Sequence, residues 1–151
     1  MDGIDRFTGI RKITWENKLT GPNLGFFAAF LVVADKQGSF RTSKPAIVLT
    51  TSSREWKYLK CHNTYWLADG KRVEPISVRH DGTTYSGGVV EQVTSDFSVA
   101  AFQQLAAAQT VEYRVCNKES YLYASEMEGL KQVAQRMSAA LAGSAAPEPM
   151  R

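Results

Sequence analysis

Apolar and polar side chains alternate with a period of two over most of the first two thirds of the chain, and the period lengthens to that of a helix only towards the end. Residues 6–15, rich in Phe, Thr, Ile and Trp, read as a strand. The Gly21-Pro22-Asn23 turn then delivers the longest apolar run, 26–34, whose length and β-branched, aromatic content predict a buried strand closed by residues 36–39. Pro45 biases the residue before it to extended geometry, and beyond it 46–51 reads as a short strand and 55–61 as another, with Ser52-Ser53 as the turn between them. Two Asp-Gly pairs, Asp69-Gly70 and Asp81-Gly82, sit between strand-like stretches, and this dipeptide suits two-residue hairpins because both central positions take positive φ. Together they predict a three-stranded meander over 64–68, 72–79 and 83–94. Pro75 should bulge the middle strand or sit where no ladder donor is needed, and Gly87-Gly88 should mark a bend or bulge in the third.

Helices are expected only near the end. Ser98 caps a helix over 98–109 with Ala101, Phe102, Leu105 and Ala108 on one face, and 110–116 alternates as a strand. Ser125-Glu-Met-Glu128 has the form of a capping box for a helix over 126–142, in which Leu130, Val133, Ala134, Met137 and Leu141 follow at helical spacing until Gly143. Strands joined by tight turns and followed by helices predict the α+β class, as an antiparallel, meander-rich sheet with both helices on one face. Residues 1–143 make a single domain, and 144–151, with nothing to bury, a flexible tail.

Composition narrows the class of function. A chain of 151 residues, 44% of them apolar, needs neither metal nor disulfide to fold. The formal charge of +3, from 18 basic and 15 acidic side chains, is too mild to announce a nucleic-acid binder. It is uneven, however: residues 35–79 hold nine Lys or Arg against four Asp or Glu, a net of +5, and from Glu91 onward the net is −2. No apolar run approaches the ~20 residues of a membrane-crossing helix. The N-terminus lacks the basic start and apolar stretch of a signal peptide, which places the protein in the cytoplasm as given, or in the exported class if a leader has been removed.

The candidate chemistry is densest in residues 58–70, YLKCHNTYWLADG, which hold Cys61, His62, Asp69, Tyr58, Tyr65 and Trp66. A nucleophilic Cys61 would need a base, and His62 is its only neighbour of that kind. Adjacent strand residues point to opposite faces, which disfavours the pair. Strand, turn, strand is the better reading, with the aromatics as core and cross-strand residues; an enzyme site drawn from Cys61, His62 and Asp69 is the alternative. His80 reads as a hairpin-turn residue, and Asp81, like Asp69, is explained by its turn. Cys61, His62, His80 and Cys116 match no metal-ligand spacing, and there is no Gly-rich phosphate loop, nucleophile elbow or His-Glu-x-x-His, so no metal or cofactor is expected. Both cysteines fall at strand ends three residues after a tyrosine. A Cys61–Cys116 disulfide would need neighbouring strand ends with Cα atoms about 4.4–6.8 Å apart. Cys116, however, alternates with Glu112 and Arg114 on a polar face while Cys61 shares a face with Leu59, which weighs towards two separate thiols and leaves the disulfide as the alternative.

Arg54, Lys57 and Lys60 recur three apart with Trp56 and Tyr58 between them, and cations interleaved with aromatics can stack on bases or hold anionic ligands. Against this stands a solvated strand edge on which lysines discourage aggregation. These five are the candidate binding residues. The expected function is a non-enzymatic binding or protein-interaction module. Capture of an anionic ligand or single-stranded nucleic acid through 54–60 is a further alternative, and an open sheet edge offers a route to a homo-oligomer.

Trp66-Leu-Ala-Asp-Gly70, Gly88-Val-Val-Glu91, the stretch 102–114 and the capped terminal helix together resemble a pattern of small uncharacterised bacterial proteins, often exported or envelope-associated. The resemblance spans about the last ninety residues. Its motifs are structural, so it implies a fold and a compartment but no catalytic residues.

Overall fold

The computed structural model describes residues 1–17 and 25–143. Among them the chain forms, in order, β1 (Asp2–Ile4), β2 (Arg11–Glu16), β3 (Phe27–Val33), β4 (Ala46–Ser53), β5 (Thr64–Ala68), β6 (Lys71–Val73), β7 (Ser77–Tyr85), β8 (Gly88–Asp96), α1 (Val99–Ala107), β9 (Val111–Val115), β10 (Lys118–Tyr121) and α2 (Ala124–Leu141). The class is α+β and the molecule is one domain. Its strands divide between two antiparallel sheets: six in the order β1-β2-β3-β4-β8-β7 and four in the order β10-β9-β5-β6. The chain passes from one sheet to the other after β4, after β6 and, through α1, after β8.

The first Asp-Gly pair behaves as its chemistry demands. Asp69 and Gly70 have φ of 49° and 81° and join β5 to β6 in a two-residue hairpin. The second does not. Asp81 and Gly82 lie inside β7, opposite Gln92 and Glu91, and the hairpin to β8 turns instead at Ser86-Gly87, where Gly87 has φ 96°. Gly82 is short of a side chain for another reason: a Cβ there would stand 2.5 Å from the Trp56 ring. The expected meander is therefore two hairpins in different sheets. Pro75, unable to donate to a ladder, occupies the link between β6 and β7 where the chain changes sheets.

The two sheets share one core. Trp66 of β5 is buried, donates from Nε1 to Ser95 Oγ of β8 at 3.0 Å, and meets Phe97 edge-on at 5.6 Å between ring centres. Tyr113 of β9 lies 5.2 Å from Trp66 and 5.9 Å from Phe26. The apolar run in β3 is not buried on both faces; Ala28, Phe30 and Val32 are buried, while Phe27, Ala29 and Leu31 are only partly buried and Val33 is exposed. Residues 6–15 are strand only from Arg11, because Asp5 Oδ1 accepts from the amides of Phe7 and Thr8 and turns the chain before that point.

Ser98 caps α1, its Oγ accepting from Ala101 N at 3.1 Å, and Phe102 and Leu105 face the core. α2 begins two residues earlier than 126, and the capping carboxylate is Glu126 instead of Glu128. Glu126 Oε1 accepts from Tyr123 N at 2.9 Å, and its Oε2 accepts from Ala28 N of β3 at 2.7 Å. One buried carboxylate thus satisfies a free helix amide and anchors α2 to the larger sheet. The Gly21-Pro22-Asn23 turn and the 144–151 tail lie outside the described residues.

Gly129 of α2 faces Trp15 of β2, so closely that a Cβ would stand 2.2 Å from the indole. Trp15 is itself stacked on Phe30 at 5.6 Å and cannot swing freely aside. Alanine normally stabilises a helix by about 1 kcal/mol over glycine. Here overpacking should dominate, and Gly129→Ala is expected to lower stability by about 2 kcal/mol, read as a fall in the urea midpoint at unchanged m-value. A rise in the midpoint would show that the indole yields.

Candidate functional site

Between β4 and β5 the strand expected over 55–61 is absent, and β4 runs through the expected Ser52-Ser53 turn. The cause is a side chain that takes the place of a ladder. Glu91 of β8 is fully buried, and its two oxygens accept from Lys57 N and Tyr58 N, each at 2.9 Å. Those amides are therefore spent on a carboxylate and are lost to any neighbouring strand. His80 Nε2 donates to Glu91 Oε1 at 3.0 Å. Burial works against the charge on Glu91. Yet the Lys57 amide, the His80 ring and the Tyr58 amide together outweigh it and hold the carboxyl below its ordinary value of 4.5.

The stretch 54–62 is pinned at several further points. Trp56 rests over Gly82, with its ring 6.0 Å from that of His80. The Tyr58 ring packs on Phe26 at 5.2 Å, and burial raises its phenol. His62 Nδ1 donates to Tyr58 O at 3.2 Å and its ring stacks on His80 at 5.3 Å. Immediately before His62, Cys61 is joined to Cys116 by a disulfide with the Cα atoms 6.0 Å apart. Strand alternation misled the reading of two separate thiols because Cys116 has φ 55°. This left-handed residue ends β9 and turns its side chain away from the face of Glu112 and Arg114, while its amide donates to Asn63 O at 2.8 Å.

Of the five candidate binding residues, Arg54, Trp56, Lys57 and Lys60 are exposed and Tyr58 is half-buried as an anchor. The largely exposed, irregular stretch 54–60, hereafter the ridge, carries a net charge of +2 with Glu55 included. Cys61, His62 and Asp69 are not brought together. Cys61 is in the disulfide, and Asp69 lies beyond the opposite end of β5, about 17 Å of strand away at ~3.3 Å per residue. There Asp69 accepts from Thr110 N at 2.9 Å and Gln109 N at 3.0 Å, which lowers its pKa and ties the β5–β6 turn to the start of β9. His80 is no turn residue but part of the cluster beneath the ridge, and Asp81 Oδ1 accepts from the neighbouring Gly82 amide at 2.8 Å.

A second surface was not apparent from the sequence. On the outer face of the four-stranded sheet, Tyr65 and Leu67 of β5 line up with Arg114 and Glu112 of β9, and these with Glu119 and Tyr121 of β10. All of these but Tyr121, together with Arg72, Glu74 and Pro75, line a concavity of about 550 Å³. Alternation in 64–68 and 111–115 signals which residues face outward. It does not signal which of them meet, and β10 has too little apolar patterning to be recognised as a strand.

Among the described residues no group of three or more His, Cys, Asp or Glu is placed to hold a metal ion, and no helix is long and apolar enough to cross a membrane. Compared with family models, with curated proteins and with solved structures, the chain matches none.

Proposed function

We propose that the chain is a non-enzymatic binding module that captures an acidic protein segment on the ridge formed by Arg54, Trp56, Lys57 and Lys60. One observation carries this reading: the ridge is irregular backbone, yet it is held by a fully buried carboxylate that accepts from two of its amides. A surface fixed in this way loses little conformational entropy when a partner docks, so its exposed cations and indole can contribute most of their contact energy to affinity. Trp56, 39% exposed, offers an aromatic face among the cations.

The test uses poly-glutamate as the probe and a single-stranded oligonucleotide as the comparison, both titrated calorimetrically at low salt. Poly-glutamate is expected to bind, to weaken as salt is raised, and to lose about tenfold or more in affinity in the R54E/K57E/K60E protein, at roughly 0.5 kcal/mol per exposed charge. Unchanged affinity in that variant would remove the ridge from the account. Binding of the oligonucleotide alone would replace the acidic segment by nucleic acid as the partner.

A further inference from the structure

We propose that the outer face of the four-stranded sheet is a second, separate binding site, which takes an extended basic peptide segment with cationic residues at alternate positions. The concavity reaches from β10 to β6, three strand spacings of ~4.8 Å or about 14 Å, which is the length of some four extended residues. Its charges are only partly satisfied. Arg72 pairs with Glu74 at 3.3 Å, and Arg114 lies over the Tyr65 ring at 4.8 Å. Glu112 and Glu119 form no ion pair among the described residues, although Arg114 is the cross-strand partner of Glu119. Two exposed carboxylates thus remain beside a basic group already engaged by an aromatic ring.

Position and charge together select the ligand. With two arginines and three glutamates the face is net negative on a chain that is net positive, and opposite in sign to the ridge. An acidic segment would be repelled there. Tyr121 stands opposite Glu112, so Glu119 is its diagonal neighbour, at a Cα separation of about 7–8 Å. Residues i and i+2 of an extended chain project to the same side about 7 Å apart, a matching interval. Lysine or arginine side chains at that spacing can lay their aliphatic stems on Leu67 and Tyr65, the latter 46% exposed, and bring their cationic heads to the two carboxylates.

The probe is an acetylated, amidated tetrapeptide, Lys-Ala-Lys-Ala, titrated into the ¹⁵N-labelled protein and followed by amide chemical shifts. Saturable shifts are expected at Tyr65, Leu67, Glu112, Arg114 and Glu119. Weaker binding is expected from Lys-Lys-Ala-Ala, whose adjacent lysines point to opposite sides. The E112Q/E119Q protein, altered only at exposed positions, should keep its circular dichroism spectrum and bind Lys-Ala-Lys-Ala at least tenfold more weakly. The proposal is overturned if the shifts fail to saturate or centre elsewhere, if the two peptides bind alike, or if the double variant binds as well as the parent.

Discussion

Replacing Cys61 and Cys116 together by serine is expected to lower the unfolding free energy by about 4 kcal/mol, the loop-entropy value for a closure of 55 residues. The bond joins a residue three positions before β5 to the residue just after β9, two strands that are already paired from Thr64↔Val115 to Ala68↔Val111. It therefore adds little new contact to the folded state and acts mainly on the unfolded chain. The check is urea unfolding of the oxidised parent, the reduced parent and the double serine variant. The last two should have the same, lower midpoint. A second readout separates global from local effects. Cys61 lies at the end of the ridge, so loss of the bond should also speed proteolytic cleavage within 54–62 under native conditions. If all three proteins unfold at one midpoint, the entropic account fails.

Replacing Glu91 by alanine should cost about 3 kcal/mol, because two backbone amides and the His80 ring lose a charged, buried acceptor at once. Glu91→Gln keeps the shape and one carbonyl oxygen but turns an NH2 towards a donor, and should cost about 2 kcal/mol. The glutamine variant also isolates the dependence on pH. Since the folded state holds Glu91 below its ordinary value of 4.5, its contribution is fully present above 4.5 and disappears as pH falls through the folded value. The stability gap between parent and E91Q should thus be constant near neutrality and narrow below pH 4.5. A gap that stays level into strong acid would show that the carboxylate is not the charged anchor described above. Asp2 and Asp96, held low by Arg11 and Arg79, contribute acid sensitivity of their own in both proteins, and so cancel in the difference.

What the sequence made legible was governed by local chemistry. The hairpin at Asp69-Gly70, the Ser98 cap, the apolar face of α2 and the strand at β9 each depend on residues within one turn or one strand, and each lies where the pattern put it. Features decided by distant partners were hidden. Asp81-Gly82 has the composition of a turn, but Trp56, some twenty-five residues earlier, needs the space above Gly82. Residues 55–61 have strand composition, yet Glu91 takes two of their amides. Capping at α2 passed from Glu128 to Glu126 because β3 shares the carboxylate. The candidate site shows the same division. Arg54, Trp56, Lys57 and Lys60 stood out by composition in one short stretch, but the strand expected there would have put Lys57 and Lys60 on opposite faces, whereas irregular backbone leaves all four exposed. The Glu91–His80–His62 cluster beneath them, and the opposition of Tyr65 to Arg114 and of Arg114 to Glu119, depend on register between strands that no short stretch encodes.

The alternation of the chain between its two sheets has a consequence for how the molecule can be divided. The larger sheet needs β7 and β8, which follow β5 and β6 of the smaller one, and the smaller needs β9 and β10, which follow both. No single cut separates the two sheets, because a fragment that keeps every strand of the larger also carries β5 and β6, and one that keeps every strand of the smaller also carries β7 and β8, so neither layer can be exchanged alone as a module. Any rearrangement of this scaffold, by fusion, truncation or insertion, has to respect both layers at once.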